Sequence, residues 1–154
     1  MIRTYLSFTI CGENFAVNVN KVLEVLQNGH ITPVPNAPAF ISGIINFRGE
    51  VLPVFDTRVR FNYTKSDSPS YNIIVIDVSG DKNIFRLGAI VDKVEDVISL
   101  NDEEIKPLPL MSSNFNTDFL QGIFKTGKHF TMLLNVEKVF SNAELSSIKE
   151  NSIN

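Results

Sequence analysis

Short runs rich in Phe, Val and Ile recur along the chain, separated by Gly, Asn, Pro and charged residues. Such side chains suit a pleated, half-buried surface, and the breaks between the runs carry turn chemistry. Residues 5–10 predict a strand, 11–14 a turn, and 15–19 a return strand with Phe15, Val17 and Val19 on one face. Asn20 is placed to cap a short helix over 21–26 that ends at Asn28-Gly29. Three prolines in 31–38 favour an extended path. A hairpin follows, with 40–47 and 51–56 as its arms and Arg48-Gly49-Glu50 as its turn. Residues 63–70 read as a polar loop, and 71–78 and 85–91 as strands joined by a turn at 79–82. The last hairpin pairs 119–125 with 129–136 around Thr126-Gly127-Lys128, and the chain turns polar from Asn142.

The order of these runs carries an internal two-fold repeat. Residues 19–26 (VNKVLEVL) are similar to 91–98 (VDKVEDVI), and 31–35 (ITPVP) to 105–109 (IKPLP). Residues 40–44 (FISGI) are similar to 119–123 (FLQGI), and 52–56, ending in Val59-Arg60-Phe61, to 132–136, ending in Val139-Phe140. The matches keep their order and spacing, which implies two kindred β units. A unit of about 60 residues is marginal alone, so packing one against the other would bury the leftover apolar faces. Five short strands per unit suggest small closed barrels, which remove sheet edges. The expected division of a single domain over 1–144 puts about 36–100 in one barrel and 1–35 plus 101–144 in the other, with 145–154 as a polar tail. This division exchanges strands between the halves: 40–56 joins 71–100 in one barrel, and the N-terminal hairpin joins 119–136 in the other.

Composition narrows the function. With 44% hydrophobic and 20% charged residues the chain can bury a core. The net charge is −3 and Lys and Arg are scattered, which argues against a nucleic-acid partner. The single cysteine, Cys11, excludes an internal disulfide and reads as a turn residue before Gly12. The start of the chain lacks a basic stretch followed by a long apolar one, and no run approaches membrane-spanning length. A cytoplasmic protein with no direct membrane insertion is expected.

Catalytic groups do not converge in this sequence. His30 and His129 sit beside turns at places that are not equivalent in the repeat, and Cys11 has no metal-ligand spacing around it. No metal or other cofactor is expected. Asp102-Glu103-Glu104 reads as a solvated helical turn, and Glu24 and Asp96 as repeat-related surface acids. Three positions ask for a reason beyond packing. Arg48 stands in a hairpin turn whose repeat counterpart, around Thr126-Gly127, has no arginine; it reads as an ordinary exposed turn residue or as a contact residue. Gly43 and Gly122 interrupt strand patterns, as a bulge, a close backbone approach or a binding position would.

The run Gly43-Ile44-Ile45-Asn46-Phe47-Arg48-Gly49, followed by Pro53-Val54, resembles the CheW family of chemotaxis coupling proteins. So do 5–8, 16–25, 87–94 and 105–109, so the resemblance spans about 5–140. It implies an all-β fold of two five-stranded SH3-like β-barrels related by an internal pseudo-repeat, with one or two short helices. It implies a scaffold, not an enzyme, joining the tips of methyl-accepting chemotaxis receptors to the regulatory domain of the histidine kinase CheA. Receptor contact is expected at Val22, Glu24, Val25, Gly43, Arg48, Val94 and Val97, with the valines as apolar anchors of a groove and the charged pair as its rim. Kinase contact is expected at Gly122 and Ile123. An adaptor for surface motility would look alike, and a small-ligand-binding β-barrel is the reading from another class.

Overall fold

Cys11 and Gly12 adopt φ values of 49° and 82°. Such a left-handed pair suits a two-residue hairpin turn. It folds β1 (Ile2–Ile10) onto β2 (Glu13–Asn18), with Phe8 opposite Phe15. A 3-10 turn over Val19–Lys21 leads into β3 (Val22–Gln27). β4 (Ile41–Phe47) and β5 (Glu50–Asp56) form a second hairpin, followed by a single helical turn, α1 (Thr57–Arg60). β6 (Asn72–Asp77) pairs with β7 (Arg86–Val91), and β8 (Lys93–Asn101) runs into a 3-10 turn over Asp102–Glu104. The hairpin of β9 (Leu120–Thr126) and β10 (His129–Leu134) precedes a last 3-10 turn, Val136–Lys138. The structure, a computed structural model, describes residues 1–63, 70–78, 85–109, 118–140 and 144. Most of the expected 63–70 loop, the 79–82 turn and the 145–154 tail lie outside the described residues.

The strands form two sheets, β8-β1-β2-β10-β9 and β3-β6-β7-β5-β4. Each sheet is closed by the chain just beyond its edge strand. Thr32, after β3, exchanges backbone hydrogen bonds of 2.9 Å with Ile44 of β4. Lys106, after β8, does the same at 2.8 Å with Ile123 of β9. Closure removes the free edges that would otherwise invite association. The result is two five-stranded SH3-like barrels.

Two sequence expectations are corrected by this topology. Residues 21–26 are not a helix: Asn18, not Asn20, caps the short 3-10 turn, and β3 then pairs with β6 from Val22↔Ile76 to Gln27↔Asn72. A six-residue helix is marginal in water, whereas Val22, Val25 and Leu26 fill a strand position that the second sheet needs. The barrel boundaries also move. Residues 22–27, expected with 1–35, belong to the sheet of β4–β7, and 93–101, expected with 36–100, pair with β1. The two halves therefore exchange repeat-equivalent strands. The repeat itself shifts by one residue at its end. Val54 stands opposite Gly43 and Leu133 opposite Gly122, so Asp56 matches Asn135, and both cap the turn that follows.

Burial falls into three clusters. Ile45, Phe47, Leu52, Val54, Ile73, Val75 and Ile90 fill the second barrel. Tyr5, Ala16, Leu100, Phe124 and Leu133 fill the first. Between the barrels lies the largest cluster, built from both sheets and including Phe8, Phe15, Phe55, Ile74, Ile76 and Phe140. This explains the unbroken apolar run of β6. Ile73 and Val75 point into a barrel while Ile74 and Ile76 point into the seam, so both faces are buried.

Candidate functional site

β3 carries one residue too many for its partner strand. Val22 stands opposite Ile76 and Glu24 opposite Val75, which leaves Leu23 as a bulge. A bulge turns side chains out of the regular alternation. Here it accompanies an acid that meets the opposite edge of the barrel: Glu24 Oε2 lies 3.8 Å from Arg48 NH2 of the β4–β5 turn. The Thr32–Ile44 bridge ties the segment after β3 to β4 across the open side of the same barrel. The expected pair Glu24 and Arg48 is thus assembled by the fold.

The turn that holds Arg48 is itself informative. Arg48 has φ 53° and Gly49 φ 81°, both left-handed. The repeat-equivalent turn places Gly127, φ 62°, at the position of Arg48. A two-residue turn of this kind favours Asn, Asp or Gly, so arginine is a poor choice for the backbone. Its side chain is 70% exposed, and its guanidinium lies 4.7 Å from the centre of the Phe47 ring. Asn46 supports the turn by accepting a hydrogen bond from Gly49 N–H at 3.0 Å.

Gly43 and Gly122 occupy matching places, each beside a barrel-closing bridge. A Cβ on Gly43 would lie 2.2 Å from the Thr32 carbonyl oxygen, and one on Gly122 would lie 2.7 Å from that of Lys106. Close backbone approach accounts for both glycines. Ile123, next to Gly122, is half-buried and makes the closing bridge.

The valines are arranged differently from a simple open groove. Val22, Val25 and Val94 are half-buried and pack on the seam cluster. Val97 is 63% exposed on β8, and Leu23, absent from the sequence expectation, is 38% exposed in the β3 bulge. The family resemblance and the need for apolar anchors pointed to Val22 and Val25. Only the bulge, invisible in a run of apolar residues, turns Leu23 outward.

Sequence reading also missed a buried ionic cluster. Arg58 of α1 donates from Nε and NH2 to Asp56 at 2.9 and 3.0 Å, and from NH1 toward Asp92 at 3.5 Å. The hydrogen bond to Asp56 is the main reason that the Arg58 pKa is raised. Burial, with Asp92 behind it, pushes the Cys11 thiol pKa up, the wrong direction for a nucleophilic thiolate. His30 and His129 are exposed. Both barrel interiors are filled by side chains.

Comparison with known proteins decides the family: residues 4–144 match the CheW-like domain. The chain belongs to the CheW family. It is 32% identical to the chemotaxis protein CheW of Klebsiella aerogenes over 146 residues, covering 95% of this chain and 86% of that one. Protein FrzA of Myxococcus xanthus is 27% identical, with 95% and 90% covered. The crystal structure of the scaffolding protein TtCheW from Thermoanaerobacter tengcongensis superposes with a TM-score of 0.80 at 31% identity, covering 94% of this chain and 97% of that one. A CheW-family chain is a chemotaxis scaffold, and the two-barrel fold described above is the fold of that family. Among the described residues, no helix is long and apolar enough to cross a membrane.

Proposed function

We propose that this protein is a cytoplasmic, non-enzymatic coupler that binds the tips of methyl-accepting chemoreceptors and the regulatory domain of the kinase CheA. The receptor face is the closing edge of the second barrel and the adjoining seam. Glu24 and Arg48 form its charged rim, Gly43 lies beneath the closing bridge, and Val22, Val25, Val94 and Val97 supply apolar contact. The kinase face lies on the first barrel around Gly122 and Ile123. The observation that carries the reading is Arg48. An exposed arginine occupies a left-handed turn position against the preference of its own backbone. Its ion pair is too exposed to stabilise the fold much. What the residue offers is a planar fork of donors held out to a partner.

Arg48→Glu reverses the charge and places like charges at the rim. The expected result is a loss of receptor-tip affinity of about tenfold or more, as for a contact hot spot, with an unchanged circular dichroism spectrum. Wild-type affinity in this variant would remove the proposed receptor site. The similarity to FrzA keeps a second reading in view, in which the same surface serves another chemosensory system such as surface motility. Capture of receptor and kinase from the native cytoplasm identifies which system is served.

A further inference from the structure

The polypeptide crosses between the barrels at two repeat-equivalent places, and the two are built differently. At the first, between β2 and β3, Asn20 is exposed, and Lys21 meets Glu137 at 2.5 Å through side chains 36% and 54% exposed. At the second, Asp92 is the single residue between β7 of the second barrel and β8 of the first. Its side chain is only 13% exposed. Asp92 N–H donates to the Thr9 carbonyl at 2.9 Å, and its Oδ2 accepts from Cys11 N–H at 2.6 Å, both groups of the first barrel. Its Oδ1 faces Arg58 of the second barrel at 3.5 Å. Asp56 holds that guanidinium with two hydrogen bonds and also caps α1 by accepting from Arg58 N–H at 2.9 Å. Thr57 fixes the same turn by donating from its hydroxyl to the Ile90 carbonyl at 2.6 Å.

We infer that Asp92 and Arg58 form a latch that fixes the angle between the two barrels. One carboxylate takes donors from both bodies at the point where the chain passes between them. The seam holds the two bodies together through non-directional apolar packing, and the part-buried ion pair adds a contact whose donor and acceptor geometry is directional. The latch also sets where β8, with Val94 and Val97, stands relative to Glu24 and Arg48; this consequence rests on the receptor-site reading above. Asp92 is then a positioning residue, not a contact residue.

Double electron–electron resonance tests the latch. Spin labels on Val51→Cys and Lys128→Cys, in a Cys11→Ser background, report the distance between the second and first barrels. The parent should give one narrow distribution. Asp92→Ala should broaden it or add a second maximum, while amide exchange inside each barrel stays slow. Asp92→Asn keeps an acceptor for Cys11 N–H and loses the ion pair; it should broaden the distribution less, and it decides the matter if Asp92→Ala does not fold. Lys21→Ala, at the exposed crossover, should leave the distribution unchanged. An unchanged distribution in the folded Asp92 variants overturns the latch, as does equal broadening in Lys21→Ala. The affinity of Arg48→Glu tests the receptor site separately, so the two readings fail independently.

Discussion

Arg48 shows how one residue can be chosen for its side chain against its backbone. A left-handed non-glycine residue costs about 1 kcal/mol or more, and asparagine tolerates the region better than arginine. What the arginine gives back is small: an exposed ion pair with Glu24 and an exposed contact with the Phe47 ring, together about 0.5–1 kcal/mol. Arg48→Asn should therefore leave stability level or raise it by a few tenths of a kcal/mol, while receptor-tip binding falls. Urea denaturation with a binding titration checks both halves. A stability loss beyond about 1 kcal/mol would show that the side chain serves the fold, since exposed contacts are not worth that much.

At the scale of elements, the glycines beside the two closing bridges set how each barrel shuts. Gly43 has φ 154°, and a Cβ there would collide with backbone at 2.2 Å; Gly122 has the milder approach of 2.7 Å, with Ile105 Cγ2 at 2.9 Å. Both Gly43→Ala and Gly122→Ala should destabilise, and Gly43→Ala more, by about 3 kcal/mol or above. Thermal unfolding of the two variants orders them; a milder Gly43→Ala would mean that the bridge yields without strain. The glycines, the hairpins and the repeat were legible because each leaves a local mark: a glycine inside an apolar run, turn residues between runs, matching strings of letters. The identity of β3 and β8 was not. A string such as VLEVL fits a strand or a helical turn equally, and pairing with β6 decides between them. The exchange of those strands was hidden for the same reason, because sheet membership is a long-range choice. The Asp56–Arg58–Asp92 cluster was hidden because it joins residues 34 positions apart, whose types alone look like an ordinary solvated surface.

For the molecule as a whole, the seam decides cooperativity. Among the described residues it holds sixteen buried side chains, against seven and five in the barrel interiors. A barrel of about 60 residues with so small an interior is marginal by itself. Exchange of β3 and β8 adds to this, since each barrel borrows a strand from the other half of the chain. The two barrels should therefore unfold as one unit. Phe140 is 4% exposed in the seam, with its ring 4.8 Å from Phe55 and 5.4 Å from Phe40, and Phe140→Ala should cost about 3–5 kcal/mol. Leu133 is 1% exposed inside the first barrel, and Leu133→Ala should cost about 2–5 kcal/mol. The informative readout is hydrogen exchange at Ala16 and Val75, one buried position in each barrel. In both variants the two amides should lose protection by the same amount, because opening either barrel strips the seam from the other. If Leu133→Ala loosened Ala16 while Val75 kept its protection, the barrels would be separate folding units, and the seam would be a docking surface between them and not their common core.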